Sequence, residues 1–301
     1  MKKFFPQRTA NDITLVLRAA GVADFPVDVR AIATEISKAK YPDEPIAVIK
    51  GDVLPGFEGA LSPAPAGKKG WGIFYNSGIT SYGRINFTLG HEFGHYLLHR
   101  KAYPEGFQCS TEDMATWESE YGQRENEANV FAATLLMPFD DFRAQIDAKR
   151  TPVFDELGAC ADRYDVSLIA ATLRWLQYTS CRSMLVVSRD GFVLWARSSQ
   201  AALKSGLYFK TRDRPPIEIP SKSIAANTRL STGSTGVCEL ESDVWLRQPC
   251  TEQVIISSQY DFKLSLLHFP DTDYRSELLE EHTEDVSERI SRRTPGQSWL
   301  S

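Results

Sequence analysis

Cysteine is scarce in this chain of 301 residues: five, widely spaced, with no CxxC pair. That spacing argues against a disulfide framework and fits reduced thiols. No stretch approaches the roughly 20 consecutive apolar residues that a membrane span requires. Met1-Lys2-Lys3-Phe4-Phe5 starts like an export signal, but Pro6-Gln7-Arg8-Thr9 interrupts it before an apolar h-region forms. The expected compartment is therefore the cytoplasm, with no membrane partner. Positive charge is not in excess either. The formal net charge is −5, so nothing global draws the chain to nucleic acid or acidic lipid. Internal repeats are absent, and the run Ser231-Thr232-Gly233-Ser234-Thr235-Gly236 lacks the lysine and spacing of a phosphate-binding loop. It reads as a flexible connection. Histidine is also rare, with five residues, but three of them fall within His91, His95 and His99.

His91-Glu92-Phe93-Gly94-His95 is half of a metal site. On an α-helix, residues four apart lie one above the other, so both imidazoles reach the same ion. Glu92 stands one residue round the turn, close enough to act as general base toward a water molecule at such a site. Helical projection puts Leu89, Phe93, Tyr96 and Leu97 on one stripe and the two histidines roughly opposite, on a face of their own. A catalytic site of this kind needs a third protein ligand. The segment Arg124-Glu125-Asn126-Glu127-Ala128-Asn129 opens a second helix whose apolar positions are Ala128, Phe131, Ala132, Leu135 and Leu136. Glu125 projects near that buried stripe, where a carboxylate is costly unless paired or metal-bound, whereas Glu127 projects well away from it. Glu125 is the better ligand and Glu127 the better solvated flank. Asn129, one turn on, is either an outer support for a ligand or an ordinary polar flank. His99 is expected to end the first helix; a further histidine ten residues after His91 is not available, because that position is Lys101.

The run from Arg84 to His99, containing Leu89-Gly90-His91-Glu92-Phe93-Gly94-His95-Tyr96-Leu97-Leu98, resembles the active-site helix of the ImmA/IrrE metallopeptidases. Glu125-Asn126-Glu127-Ala128-Asn129-Val130-Phe131-Ala132-Ala133-Thr134-Leu135-Leu136-Met137-Pro138 is similar to that family's second element, and Phe25-Pro26-Val27-Asp28-Val29 to its opening segment. The resemblance implies a gluzincin-like site with Zn²⁺ on His91, His95 and Glu125 and with Glu92 as catalytic base; Mn²⁺ or another divalent ion can also suit such ligands. It further implies a protein substrate, namely a helix-turn-helix repressor whose cleavage derepresses stress, prophage or mobile-element genes. An alternative from another class is a non-hydrolytic zinc-binding transcriptional regulator or docking module, against which a complete Glu92 argues. A departure is the long insert from Lys101 to Gln123, a candidate lid, substrate-selecting loop or surface excursion. Trp71-Gly72-Ile73-Phe74-Tyr75-Asn76, after the loop Ser62–Gly67, is the candidate edge strand for substrate pairing, with a plain core strand as its alternative. For the oxyanion the sequence offers Tyr103 and His99 without choosing between them.

The expected fold is α+β. Residues 1–149 form a zincin-like peptidase domain, mostly helical with a small sheet. Residues 150–180 form a helix-turn-helix-like helical module, 181–270 a sheet-rich regulatory domain of mixed, sensor-like character, and 271–301 a charged tail. In the second segment, Leu157, Cys160, Ala161 and Tyr164 are spaced for one helix, and Ile169, Ala170, Leu173 and Leu176 for another, with Ser167 as N-cap. From Arg150 to Arg182, four Arg face Asp155, Glu156, Asp162 and Asp165. That balance leaves no excess of positive charge, so direct DNA binding is not expected and a packing or docking role is. Met184–Val187 and Phe192–Trp195 flank Asp190-Gly191 as a hairpin, and Val254–Ile256 and Leu264–Leu267 flank Tyr260-Asp261 likewise.

Overall fold

The computed structural model describes residues 5–22, 25–110, 120–209, 215–226, 233–257 and 262–271. Part of the 101–123 insert, the Tyr260-Asp261 turn, Ser231-Thr232 and the tail after Asp271 lie outside those residues. The described chain is α+β, with eight α-helices and two sheets. It divides into two compact units, Met1–Thr179 and Ser180–Ser301.

In the first unit, α1 (Pro6–Ala19) starts with proline at its first turn, where a missing N–H is no loss. Helix α2 (Val29–Lys40) is capped by Asp28, whose carboxylate accepts from the Ala31 amide at 3.0 Å. Strands β1 (Ile46–Asp52), β2 (Phe57–Pro63), β3 (Trp71–Asn76) and β4 (Phe107–Ser110) form one sheet in the order β1-β3-β2-β4. The β1–β3 pair is parallel; β2 runs antiparallel to both β3 and β4. This corrects the edge-strand expectation. Residues 71–76 are interior, hydrogen-bonded on both sides, and the edges are β1 and β4. The nearly unbroken apolar run of β3 is what an interior strand carries. Ser62 and Pro63 likewise belong to β2 rather than to a loop.

Helix α3 (Tyr82–Leu98) begins at Ser81, whose hydroxyl accepts from the Arg84 amide. It packs along α4 (Glu120–Leu136) and against β2 and β3. From Thr88 to Leu97 every residue of α3 is buried, so the histidine face is enclosed like the apolar stripe. Phe93 meets Phe131 edge-on at 5.6 Å, and Tyr96 donates to the Glu44 carbonyl at 2.8 Å. On α4, Ala128, Phe131, Ala132, Leu135 and Leu136 are all fully buried, as their spacing requires. Helices α5 (Phe139–Gln145), α6 (Phe154–Tyr164) and α7 (Leu168–Leu176) complete the unit. Asp165 at φ 48° ends α6, and the Ser167 hydroxyl caps α7 by accepting from Ala170 N at 3.1 Å.

The second unit is a five-stranded, wholly antiparallel sheet in the order β6-β5-β9-β8-β7, with the short helix α8 (Gln200–Lys204). Strands β5 (Arg182–Arg189) and β6 (Phe192–Ser198) form the first expected hairpin, turning through Asp190 and Gly191, both at positive φ. Strands β8 (Cys250–Ile256) and β9 (Lys263–Phe269) form the second. Strand β7 (Thr235–Leu240) takes in Thr235 and Gly236, which read from sequence as loop. One sheet face carries a core including Met184, Val186, Trp245, Leu267 and Phe269.

Candidate metal centre

Two helices build the site because small residues let them approach. An added Cβ on Gly94 would stand 3.0 Å from the Phe131 ring and 3.3 Å from the Ala128 backbone; on Gly90 it would meet Ala132 at 3.3 Å. Even a methyl group at Gly94 would press on α4, and a larger side chain has no room there. The close packing of the two helices carries Glu125, from the first half of α4, to the two histidines on α3.

His91 Nε2 lies 2.9 Å from His95 Nε2. Glu125 Oε2 is 3.1 Å from His91 Nε2, and Oε1 is 3.2 Å from His95 Nε2. His91, His95 and Glu125 are thus a group able to hold a metal ion, and all three are buried. Donors at ~2.0–2.1 Å from a tetrahedral ion stand about 3.3 Å apart, so these edges fit a small divalent cation. The donor chemistry points the same way. Two ring nitrogens and a carboxylate converging in a buried space need a cation among them, either a proton or a metal ion. Burial pulls His91 down, but the hydrogen bond to Glu125 and the charges of Glu92 and Glu125 outweigh it and leave the ring raised above the ordinary imidazole value. His95 is pushed down to about 3, chiefly by burial. Burial alone would raise Glu125, yet His91 and His95 hold its carboxyl well below the usual range.

Glu92 is fully buried on the same helix, facing β2. A Cβ on Gly59 of β2 would come within 2.6 Å of Glu92 Oε1 and 2.5 Å of Thr88 Cγ2. The bare glycine therefore shapes the space that the carboxylate occupies. Asn129 Oδ1 is 2.9 Å from His91 Nδ1, which makes it an outer support rather than a polar flank. The Phe107 ring of β4 stacks on His95 at 4.3 Å, so the edge strand runs beside the site. This uses part of the 101–123 insert as sheet. Tyr103 packs on Phe107 at 5.1 Å and accepts from Arg124 Nη1, which turns its hydroxyl toward α4.

Sequence reasoning missed Gly59, Phe107 and the destination of Glu127. Glu127 lies outside the ligand cluster with its side chain 44% exposed, as a solvated flank does, and its Oε2 also lies 3.0 Å from His99 Nε2. His99 does end α3, its amide donating to the His95 carbonyl. The available signal was the 91/95/99 ladder of histidines at four-residue spacing, which continues the metal-facing stripe by one turn.

Residues 53–176 match the family model described as IrrE N-terminal-like domain, Peptidase_M78. Comparison with curated proteins finds no match.

Proposed function

This chain belongs, through residues 53–176, to the ImmA/IrrE metallopeptidase family, and from that membership and the site geometry we propose that it is a zinc-dependent endopeptidase. The observation that carries the proposal is the buried triangle of His91 Nε2, His95 Nε2 and the Glu125 carboxylate, with edges of 2.9–3.2 Å. When bound there, Zn²⁺ supplies Lewis-acid polarisation of a scissile carbonyl and of a water molecule. Glu92, the residue after the first ligand, takes a proton from the attacking water and passes it to the departing amine. Glu92 is fully buried, which keeps its carboxylate away from bulk solvent. An extended substrate segment pairs along the β4 edge, whose Phe107 touches His95.

On the family resemblance, the substrate is a helix-turn-helix transcriptional repressor cut to derepress stress, prophage or mobile-element genes. The zincin-like architecture of residues 1–149 and the helix-turn-helix-like, protein-docking reading of α6–α7 belong to the same proposal. The test is incubation of candidate repressors with Zn²⁺ and either wild type or Glu92→Gln, which keeps shape and removes the base. Wild type should cleave and the variant should be slower by about 10²–10⁴-fold. Equal cleavage by both overturns the assigned mechanism. Absence of cleavage of any repressor, with cleavage of other proteins retained, overturns the substrate class.

A further inference from the structure

His95 is followed outward by a chain of polar contacts that the proposed chemistry does not use. Its Nδ1 lies 3.0 Å from His99 Nδ1, and His99 Nε2 lies 3.0 Å from Glu127 Oε2. His99 is buried, whereas Glu127 reaches the surface. Both nitrogens of His99 are thereby engaged away from the triangle, so His99 is not a fourth ligand. Phe107 walls the chain, stacked on His95 and 5.8 Å from the His99 ring.

One arrangement of protons satisfies every contact along this chain with neutral rings. An ionised carboxylate only accepts, so the Glu127 contact places a proton on His99 Nε2. Neutral His99 then has a bare Nδ1, which can only accept. In that arrangement the hydrogen atom of the 3.0 Å contact between the two rings sits on His95 Nδ1. That leaves the lone pair of His95 on Nε2, the nitrogen facing Glu125 and His91. On the other ligand, Asn129 Oδ1 does the same in a single step for His91 Nδ1.

We propose that His99 and Glu127 are positioning residues of the metal centre, acting in series to hold His95 in its Nδ1–H tautomer and ring plane. This rests on the reading of His91, His95 and Glu125 as metal ligands. Outer partners of a ligating histidine typically contribute 10–100-fold in metal affinity.

The test is the Zn²⁺ dissociation constant of the full chain, measured by chelator competition, for wild type and for Glu125→Ala, His99→Phe, His99→Gln, Glu127→Leu and the His99→Phe/Glu127→Leu double variant. His99→Phe keeps a ring of similar size and removes the acceptor; it should weaken binding about 10–100-fold. His99→Gln, whose carbonyl can accept from His95 Nδ1–H, should recover most of that loss, a rescue that simple packing would not produce. Glu127→Leu should weaken binding, and the double variant should be no weaker than His99→Phe alone, because Glu127 acts only through His99. Unchanged affinity in His99→Phe, no recovery in His99→Gln, or additive losses in the double variant each overturn the proposal. If His99→Phe does not fold, the His99→Gln and Glu127→Leu values decide: wild-type affinity in Glu127→Leu overturns the relay. Should Glu125→Ala bind Zn²⁺ as well as wild type, the metal-site reading itself fails, an outcome distinct from all of these.

Discussion

Glu92 and Gly59 are coupled by the 2.6 Å that would separate an added Cβ from Oε1. Gly59→Ala should therefore displace the carboxylate while leaving the three ligands in place. Turnover should fall by about 10–100-fold, since a shift near 1 Å in a catalytic group can have that effect. Zn²⁺ affinity should stay near wild type, as paired kinetics and metal titration would show. If both fall together, Gly59 shapes the whole centre rather than the base. At this scale the sequence disclosed the candidate metal-ligand cluster and hid its surroundings. His91, Glu92 and His95 are legible because helical spacing is local, and Glu125 because a carboxylate beside a buried stripe needs a reason to be there. Gly59 and Phe107 were not legible. Their roles depend on which strand passes the helix, and no periodicity in one segment encodes that. The contact of Glu127 with His99 was not legible either, because it joins residues on two neighbouring helices.

Helices α3 and α4 approach through Gly90 and Gly94 on one side and Ala128 and Ala132 on the other. Gly94→Leu should overpack this seam, lowering stability by about 1–3 kcal/mol and withdrawing Glu125 from the histidines. Denaturant titration and metal competition would record both effects, and a variant with wild-type metal affinity would show that the seam does not set the ligand geometry. A second element-level contact is the joint of α5 and α6. Asp141 accepts from Arg163 Nε at 2.9 Å, Nη2 at 3.0 Å and from the Tyr164 hydroxyl at 2.5 Å. Burial would raise its carboxyl, but these donors hold it below the ordinary range. A depressed carboxyl contributes stability that is complete above its unfolded value, about 3.9, and is lost as pH falls through the folded one. Asp141→Asn should therefore be less stable than wild type at neutral pH, with the gap closing below about pH 4; a gap that widens on acidification would contradict the sign. Helices α3, α4, α6 and α7 were legible as elements because amphipathic spacing repeats within them, whereas α1 and α2 were not singled out. Strand β4 has four residues, too few for an alternation, and β7 starts inside a Gly/Ser/Thr-rich run, so both were hidden. Strand β3 was visible but misplaced: its apolar run fits an interior position better than an edge.

Every residue of the candidate centre, with its supports Asn129, His99, Glu127, Gly59 and Phe107, falls in Met1–Thr179. The second unit has its own anchor. Buried Glu252 accepts from Ser223 Oγ at 2.7 Å, Ile224 N at 2.9 Å and Trp245 Nε1 at 3.2 Å. Glu252→Ala should destabilise that unit by about 2 kcal/mol or more, because it strips partners from buried donors, and should leave Zn²⁺ affinity unchanged. Calorimetry with metal titration would check this; a loss of affinity would couple the units. No helix among the described residues is long and apolar enough to cross a membrane. The sequence marked the change from helix-rich to sheet-rich pattern near residue 180, because helical spacing gives way to turn-flanked apolar runs there. It could not order the strands, since pairing partners lie far apart in the chain.

The most direct test of the metal centre is the stoichiometry and affinity of Zn²⁺ binding by wild type, Glu92→Gln and Glu125→Ala, measured side by side. Wild type and Glu92→Gln should each bind one ion per chain with similar affinity, and Glu125→Ala should bind far more weakly. Equal binding by Glu125→Ala, or no stoichiometric ion in wild type, would contradict the assignment of His91, His95 and Glu125 as the ligands.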